Sequence, residues 1–293
     1  MKKTFLISTL AAFAIVGCGG SDSSSPSIPL NRVAYVAELS ATQDAIYSAN
    51  PDGSGVTLHS KLSKDVQAFD VDQTGTALLA VVYNSTKDSY DVKLCGLDGT
   101  VKKSLTNLDY DEITNVQFNR SYTKVVVSGF LNGGVSSILT VNADGTGVQT
   151  VNNQGSLGVF TSSGKLAIGG ETSGEVSRSF VGTMDLDGGA VSNLVANVEP
   201  LALDELNGAI AYAASIGGDA SGVSGISLVQ PGMPPRALYV AGTTIDSDPR
   251  FSTDGTAVFF VRDGSGIFRV PLGGGVPTSI VANRDVSRIL RVR

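Results

Sequence analysis

The sequence predicts an all-β fold made of repeated four-stranded antiparallel units, and three observations predict it. A short strand that runs into a tight turn recurs at near-constant spacing. A continuous apolar run stands ahead of each copy. Segments of mixed polarity follow the first three.

The recurring segments begin at Ile46, Val92, Ile138, Val181, Ile226 and Ile267, with starts 46, 46, 43, 45 and 41 residues apart. The first four end in Asp52-Gly53, Asp98-Gly99, Asp144-Gly145 and Asp187-Gly188; the last two end at Gly232 and Gly274. Asp-Gly suits a tight turn because Gly accepts a positive φ and Asp tolerates one.

The runs ahead of them are Arg32–Ala37, Ala77–Val82, Lys124–Val127, Lys165–Ile168, Ala209–Ala213 and Ala257–Val261. They are apolar nearly throughout rather than alternating, which marks strands buried on both faces. A meander buries both faces only where sheets stack on one another. Val56–Ser60, Val101–Leu105 and Val148–Val151 mix apolar and polar positions, as outer strands should. Radially stacked four-stranded units of this period make a β-propeller. From Ser27 to Arg293 the chain allows about 44 residues for each of six blades.

Later blades start with an inner strand, such as Val66–Val71 or Val116–Phe118. The first has none, because the chain enters directly at Arg32. The segment Val286–Arg293 is a spare strand, expected to complete the first blade and hide both open edges. The predicted organisation is therefore a signal segment over 1–17, a modified Cys18 with a flexible linker over 18–29, and a propeller over 30–293.

The N-terminal assignment rests on its own pattern. Lys2 and Lys3 precede an apolar stretch, Thr4–Val16, too short for the roughly 20 residues of a membrane-spanning helix. It ends in Ile15-Val16-Gly17-Cys18, which resembles a bacterial lipobox. The resemblance implies cleavage before Cys18, acylation of its thiol, and anchoring to a membrane. Gly19, where an Asp would imply retention at the inner membrane, implies an outer-membrane anchor with the domain in the periplasm. The Ser/Gly-rich stretch Gly19–Ser27 reads as a solvated tether. Removal of Lys2 and Lys3 leaves 19 basic residues against 27 acidic, a net charge of −8.

That balance argues against a nucleic-acid partner, since no basic patch exists to neutralise phosphates. With Cys18 acylated, Cys95 has no disulfide partner and reads as a small buried hydrophobe.

Asp248–Phe260 resembles the P-x-F-S-P-D-G-x-x-I-x-F signature of TolB-like (PD40) propeller repeats, with Thr253 where the family has Pro. The family's later Asp-Gly turn matches those named above, while Asp72–Gly75 and Thr161–Gly164 keep only the turn. The resemblance implies a propeller that binds other molecules, without naming the partner.

Catalytic motifs are sparse. His59, the only histidine, falls on an outer strand, which excludes a His-based triad or His-ligated zinc at a central site. There is no Gly-x-Ser-x-Gly elbow and no P-loop. Asp70–Gly75 starts like a calcium loop, but Val81 stands where the bidentate Glu belongs, so a plain turn is expected. The face opposite the Asp-Gly turns collects acids around the expected channel mouth, with clusters at Asp109, Asp111 and Glu112 and at Asp246 and Asp248. These are the candidate ligand-binding residues. The expected function is a lipid-anchored, monomeric, non-enzymatic binding propeller that uses no cofactor and takes a protein segment or small ligand at an acidic channel face. The alternative is a carboxylate-dependent glycan hydrolase or lyase.

Overall fold

The computed structural model describes residues 26–106, 110–152, 155–172, 178–215, 224–241, 244–282 and 284–292. Cys18 and Asp109 lie outside them. Among the described residues the regular structure is strand only. In chain order these are β1 (Val33–Ser40), β2 (Gln43–Ala49), β3 (Thr57–Ser63), β4 (Val66–Val71), β5 (Ala77–Asn84), β6 (Ser89–Gly96), β7 (Val101–Ser104), β8 (Tyr110–Phe118), β9 (Lys124–Leu131), β10 (Val135–Asn142), β11 (Gln149–Asn152) and β12 (Leu157–Phe160). The second half holds β13 (Leu166–Thr172), β14 (Arg178–Met184), β15 (Ser192–Ala196), β16 (Pro200–Leu206), β17 (Ala209–Ser215), β18 (Ser224–Val229), β19 (Arg236–Val240), β20 (Asp246–Phe251), β21 (Ala257–Arg262), β22 (Gly266–Pro271), β23 (Thr278–Ala282) and β24 (Val286–Val292).

The strands pair antiparallel as meanders: β12 to β15, β16 to β19 and β20 to β23 each form a four-stranded sheet. The strands β4 to β11 form one eight-stranded sheet, joined at its middle only by Tyr90 opposite Tyr110. The remaining sheet has the order β24-β1-β2-β3, so the chain end pairs with β1, with Val33 opposite Val292 and Ala37 opposite Val286.

Apolar clusters lie between consecutive sheets, which is why the second strands are apolar on both faces. Phe259 and Ile267 pack on Tyr35 and Tyr47 between the last sheet and the first. Phe69 and Leu79 pack on Val125 and Leu139 across the middle of the eight-stranded sheet. The first strands also neighbour one another in a cycle: β4 touches β8, then β12, β16, β20, β24 and β4 again follow in turn.

This stacking explains why the turn after the third strand keeps a Gly. Gly53 has φ 87°, and a Cβ there would lie 2.2 Å from the carbonyl oxygen of Ile280 on β23 of the neighbouring sheet. Gly188, at φ 84°, is placed likewise, with a Cβ there 2.6 Å from the Val151 carbonyl oxygen of β11. The turn needs a left-handed residue, and the next sheet leaves no room for a side chain.

Ile28, which the sequence places in the linker, is buried against Ala34, Leu78 and Leu290 and donates its N–H to the Gly75 carbonyl at 2.8 Å. The packed unit thus begins before residue 30. Cys95 is buried and free, and burial pushes its thiol up, in line with a small hydrophobe.

Tyr110 is fully enclosed, and burial pushes its phenol up to about 12. An unfolded Tyr titrates near 10. Between those values the unfolded state has lost a proton that the folded state keeps, so stability falls as pH rises through that window. We expect a loss of about 3 kcal/mol from this group across it. A urea denaturation series from pH 9 to 12 checks this: Tyr110→Phe should be less sensitive to pH than the parent.

Candidate functional site

Four of the six first strands carry charged residues inside largely apolar runs: Asp70 on β4, Asp204 and Glu205 on β16, Asp248 and Arg250 on β20, and Arg288 and Arg291 on β24. A buried polar group must find a partner or cost several kcal/mol. Here the partners are mostly on the next first strand. An oxygen of Asp70 accepts the Phe118 N–H of β8 at 2.9 Å. Asn115 Nδ2 of β8 donates to the Gly158 carbonyl of β12 at 2.8 Å. Glu205 of β16 accepts both the N–H and the hydroxyl of Ser162, just past β12, at 2.9 and 2.7 Å. Asp204 accepts the Phe251 N–H of β20 at 2.8 Å, and Asp248 accepts the Ile289 N–H of β24. Arg291 of β24 returns to β4 by a bidentate pair with Asp70, Nε to Oδ1 at 2.8 Å and Nη2 to Oδ2 at 2.5 Å. One side-chain link thus joins every neighbouring pair in the cycle.

Asp70 is the most buried of these acids. Burial pushes its carboxyl up, and Arg291 opposes that shift. Asp70 lies on β4, the inner strand expected over Val66–Val71, and the turn expected over Asp70–Gly75 starts later than Asp70. Only Asp72 makes the turn, accepting the N–H groups of Thr76 and Ala77 at 2.9 Å each. Asp70 is held by a guanidinium and two backbone N–H groups, which is not a cation-binding arrangement.

A cavity of about 360 Å³ opens where all six first strands end, on the face that also carries the Asp-Gly turns. Phe118, Tyr122, Phe160 and Phe251 line it, with Arg120, Arg250 and Arg291 against Asp204 and Glu205. The expected acidic channel face is therefore corrected in two respects. The wider opening is at the other end, and its lining holds three guanidiniums against two carboxylates. The physical reason is the linkage above: the acids are drawn onto backbone N–H groups between strands, and arginines compensate their charge.

The predicted site residues divide. Asp111 and Glu112 are exposed at the start of β8, where Asp111 accepts the Gly133 N–H at 3.2 Å. Asp246 is fully buried and takes Arg262 in a bidentate pair at 2.8 and 3.1 Å; that guanidinium stacks 4.3 Å from the Phe268 ring centroid. Asp248 is buried, with a left-handed backbone at φ 49° where the register breaks between Ser247 and Arg250. It pairs with Arg250 at 2.9 Å. The two clusters are not one site: Asp111 and Glu112 are surface acids, and Asp246 and Asp248 are internal counter-charges.

His59 lies on the outer strand β3, with Nε2 2.8 Å from the Ser48 hydroxyl. Burial and the nearby Arg32 charge push its imidazole below the usual range. It is a satisfied polar residue and does not line the cavity.

No protein-family model and no curated protein matches this chain. Solved structures do. The putative TolB from Agrobacterium tumefaciens is similar at TM-score 0.63 and 14% identity, over 84% of this chain and 92% of that one. TolB from Acinetobacter baumannii is similar at 0.61 and 14%, over 88% of this chain and 67% of that one. An oligogalacturonate lyase in complex with manganese is similar at 0.51 and 13%, over 90% and 74%. Identities this low carry the fold alone, and with the stacked antiparallel sheets they show a β-propeller fold.

Proposed function

We propose that the chain is a lipid-anchored, extracytoplasmic binding module: a six-bladed propeller closed by its own last strand, which engages a segment of a partner protein at the wide cavity. One observation carries the choice of binding over catalysis. Both carboxylates lining that cavity are already committed. Asp204 holds Gln117 and the Phe251 N–H, and Glu205 holds Ser162 and the Gly208 N–H. The arginines are held as well, Arg291 on Asp70, Arg250 on Asp248 and Arg120 on the Glu205 carbonyl, so what the cavity presents is aromatic surface among fixed charges, suited to recognition rather than proton transfer. The TolB-type and lyase neighbours share the fold and leave activity open, so the choice rests on these side chains.

Six blades are supported by the six-fold recurrence in the sequence and by the cycle of first strands. The anchor is supported by Ile15 to Cys18. Leu30 lines the wide cavity and Ile28 is bound at Gly75, so the tether leaves from this face. Residues 18–27 reach at most about 35 Å, which would keep this face near the membrane, outer by the reading of Gly19. The partner would then be membrane-bound or extend from it.

A photo-crosslinking amino acid at Arg120, on the rim, should capture a discrete partner in intact cells. The same group at the exposed Val101 on β7 should not. Equal capture at both positions, or none at Arg120, rejects the reading. Separately, Cys18→Ser should abolish fatty-acid labelling and membrane fractionation; unchanged fractionation and mass would reject the anchor.

A further inference from the structure

At the opposite end of the first strands lies a second, smaller cavity of about 120 Å³. Thr114, Asn115, Ser247, Asp248, Ser287 and Arg288 are among its lining residues. The charges there do not cancel. Asp248 is spent, with one oxygen on Arg250 and the other on the Ile289 N–H. Among the described residues the Arg288 side chain makes no hydrogen bond or ion pair, although its backbone pairs with Val36 in the ladder. Its guanidinium carbon lies 3.5 Å from the centroid of the Phe69 ring. That stack occupies a face of the group and leaves its in-plane N–H donors for the cavity. Burial pushes the guanidinium down to about 10, more than the nearby Asp248 restores, and it stays charged at neutral pH.

We propose that this cavity is a binding site for a small monocarboxylate, held by the Arg288 fork with the Ser247 and Ser287 hydroxyls beside it. A guanidinium fork matches a carboxylate with two parallel hydrogen bonds. The cavity is the smaller of the two at the ends of the first strands and has room for an acetate-sized group. The Asp248 charge nearby disfavours a dianion, which selects carboxylate over phosphate. This site is independent of the partner surface at the wide cavity, so either reading can fail alone.

The probes are sodium acetate and inorganic phosphate, titrated at constant ionic strength into the folded chain. Thermal stability and the arginine Nε–H resonances of the unsubstituted protein are followed. Acetate should stabilise saturably and shift one arginine resonance, and phosphate should bind more weakly. Arg288→Lys should weaken acetate by about 10- to 100-fold, and Arg288→Met should abolish its effect. If Arg288→Met does not fold, Ser287→Leu, at an exposed position of β24, should block acetate by filling the cavity. An unsaturable response, acetate binding unchanged in these variants, or phosphate binding tighter than acetate overturns the proposal.

Discussion

Removing the chain from Val286 onward should leave the protein unfolded or aggregated at room temperature. The truncation takes away Ile289 and Leu290, both fully buried. It strips β1 of one of its two neighbours, from Val33 to Ala37. It also leaves Asp70 without Arg291 and Asp248 without the Ile289 N–H. Losing one partner of a buried ion pair costs about 3–5 kcal/mol, and each orphaned buried backbone group about 1–3 more. A domain has only about 5–15 kcal/mol to lose. Trimming Gly19 to Ser25 should change nothing, because its sequence of Gly, Ser and Asp offers no apolar side chain to bury. Circular dichroism melts of the two truncations against the parent check this; a C-terminal deletion that melts like the parent would show that β24 is dispensable.

The second large effect should come from the Asp70–Arg291 pair, which joins residues 221 apart in sequence. Arg291→Met should cost about 3–5 kcal/mol by leaving a buried carboxylate uncompensated. Asp70→Leu alone should cost a similar amount. The double variant should recover most of the loss, because two apolar side chains remove both charges together. Burial acts against Arg291, yet the Asp70 charge and its hydrogen bonds hold the guanidinium above its ordinary value, so each charge depends on the other. Urea denaturation of the four proteins gives the coupling energy directly. Additive losses would mean that the pair is not a unit.

Particular residues show what was legible in the sequence. The apolar runs such as Ala257–Val261 and the Asp-Gly turns carried the strand repeat, because stacking of sheets imposes both. The C-terminal strand was legible by elimination, since the first unit lacked one strand. The axial polar set was not. Asp70 sits in an Asp-x-Asp-x-Thr-Gly string whose local chemistry is that of a turn, and no local pattern links it to Arg291. Asp246 and Asp248 looked like free acids because an arginine that neutralises an acid across strands has no fixed spacing. One signal was available: a charge inside a run buried on both faces, as in Ala68–Val71, Ala202–Leu206 or Ile289–Val292, must have a partner on another strand.

Native-state hydrogen exchange of the amides in β24 tests the central claim, that the chain end is an integral strand of the ring and that axial charges hold it there. The Ile289 amide, donated to Asp248, and its neighbours in β24 should exchange only through global unfolding, with the same free energy as the amides of β1. If β24 exchanges rapidly while β1, β5 and β9 stay protected, the chain end is a loosely docked tail, and the account of closure and of the axial charges is wrong.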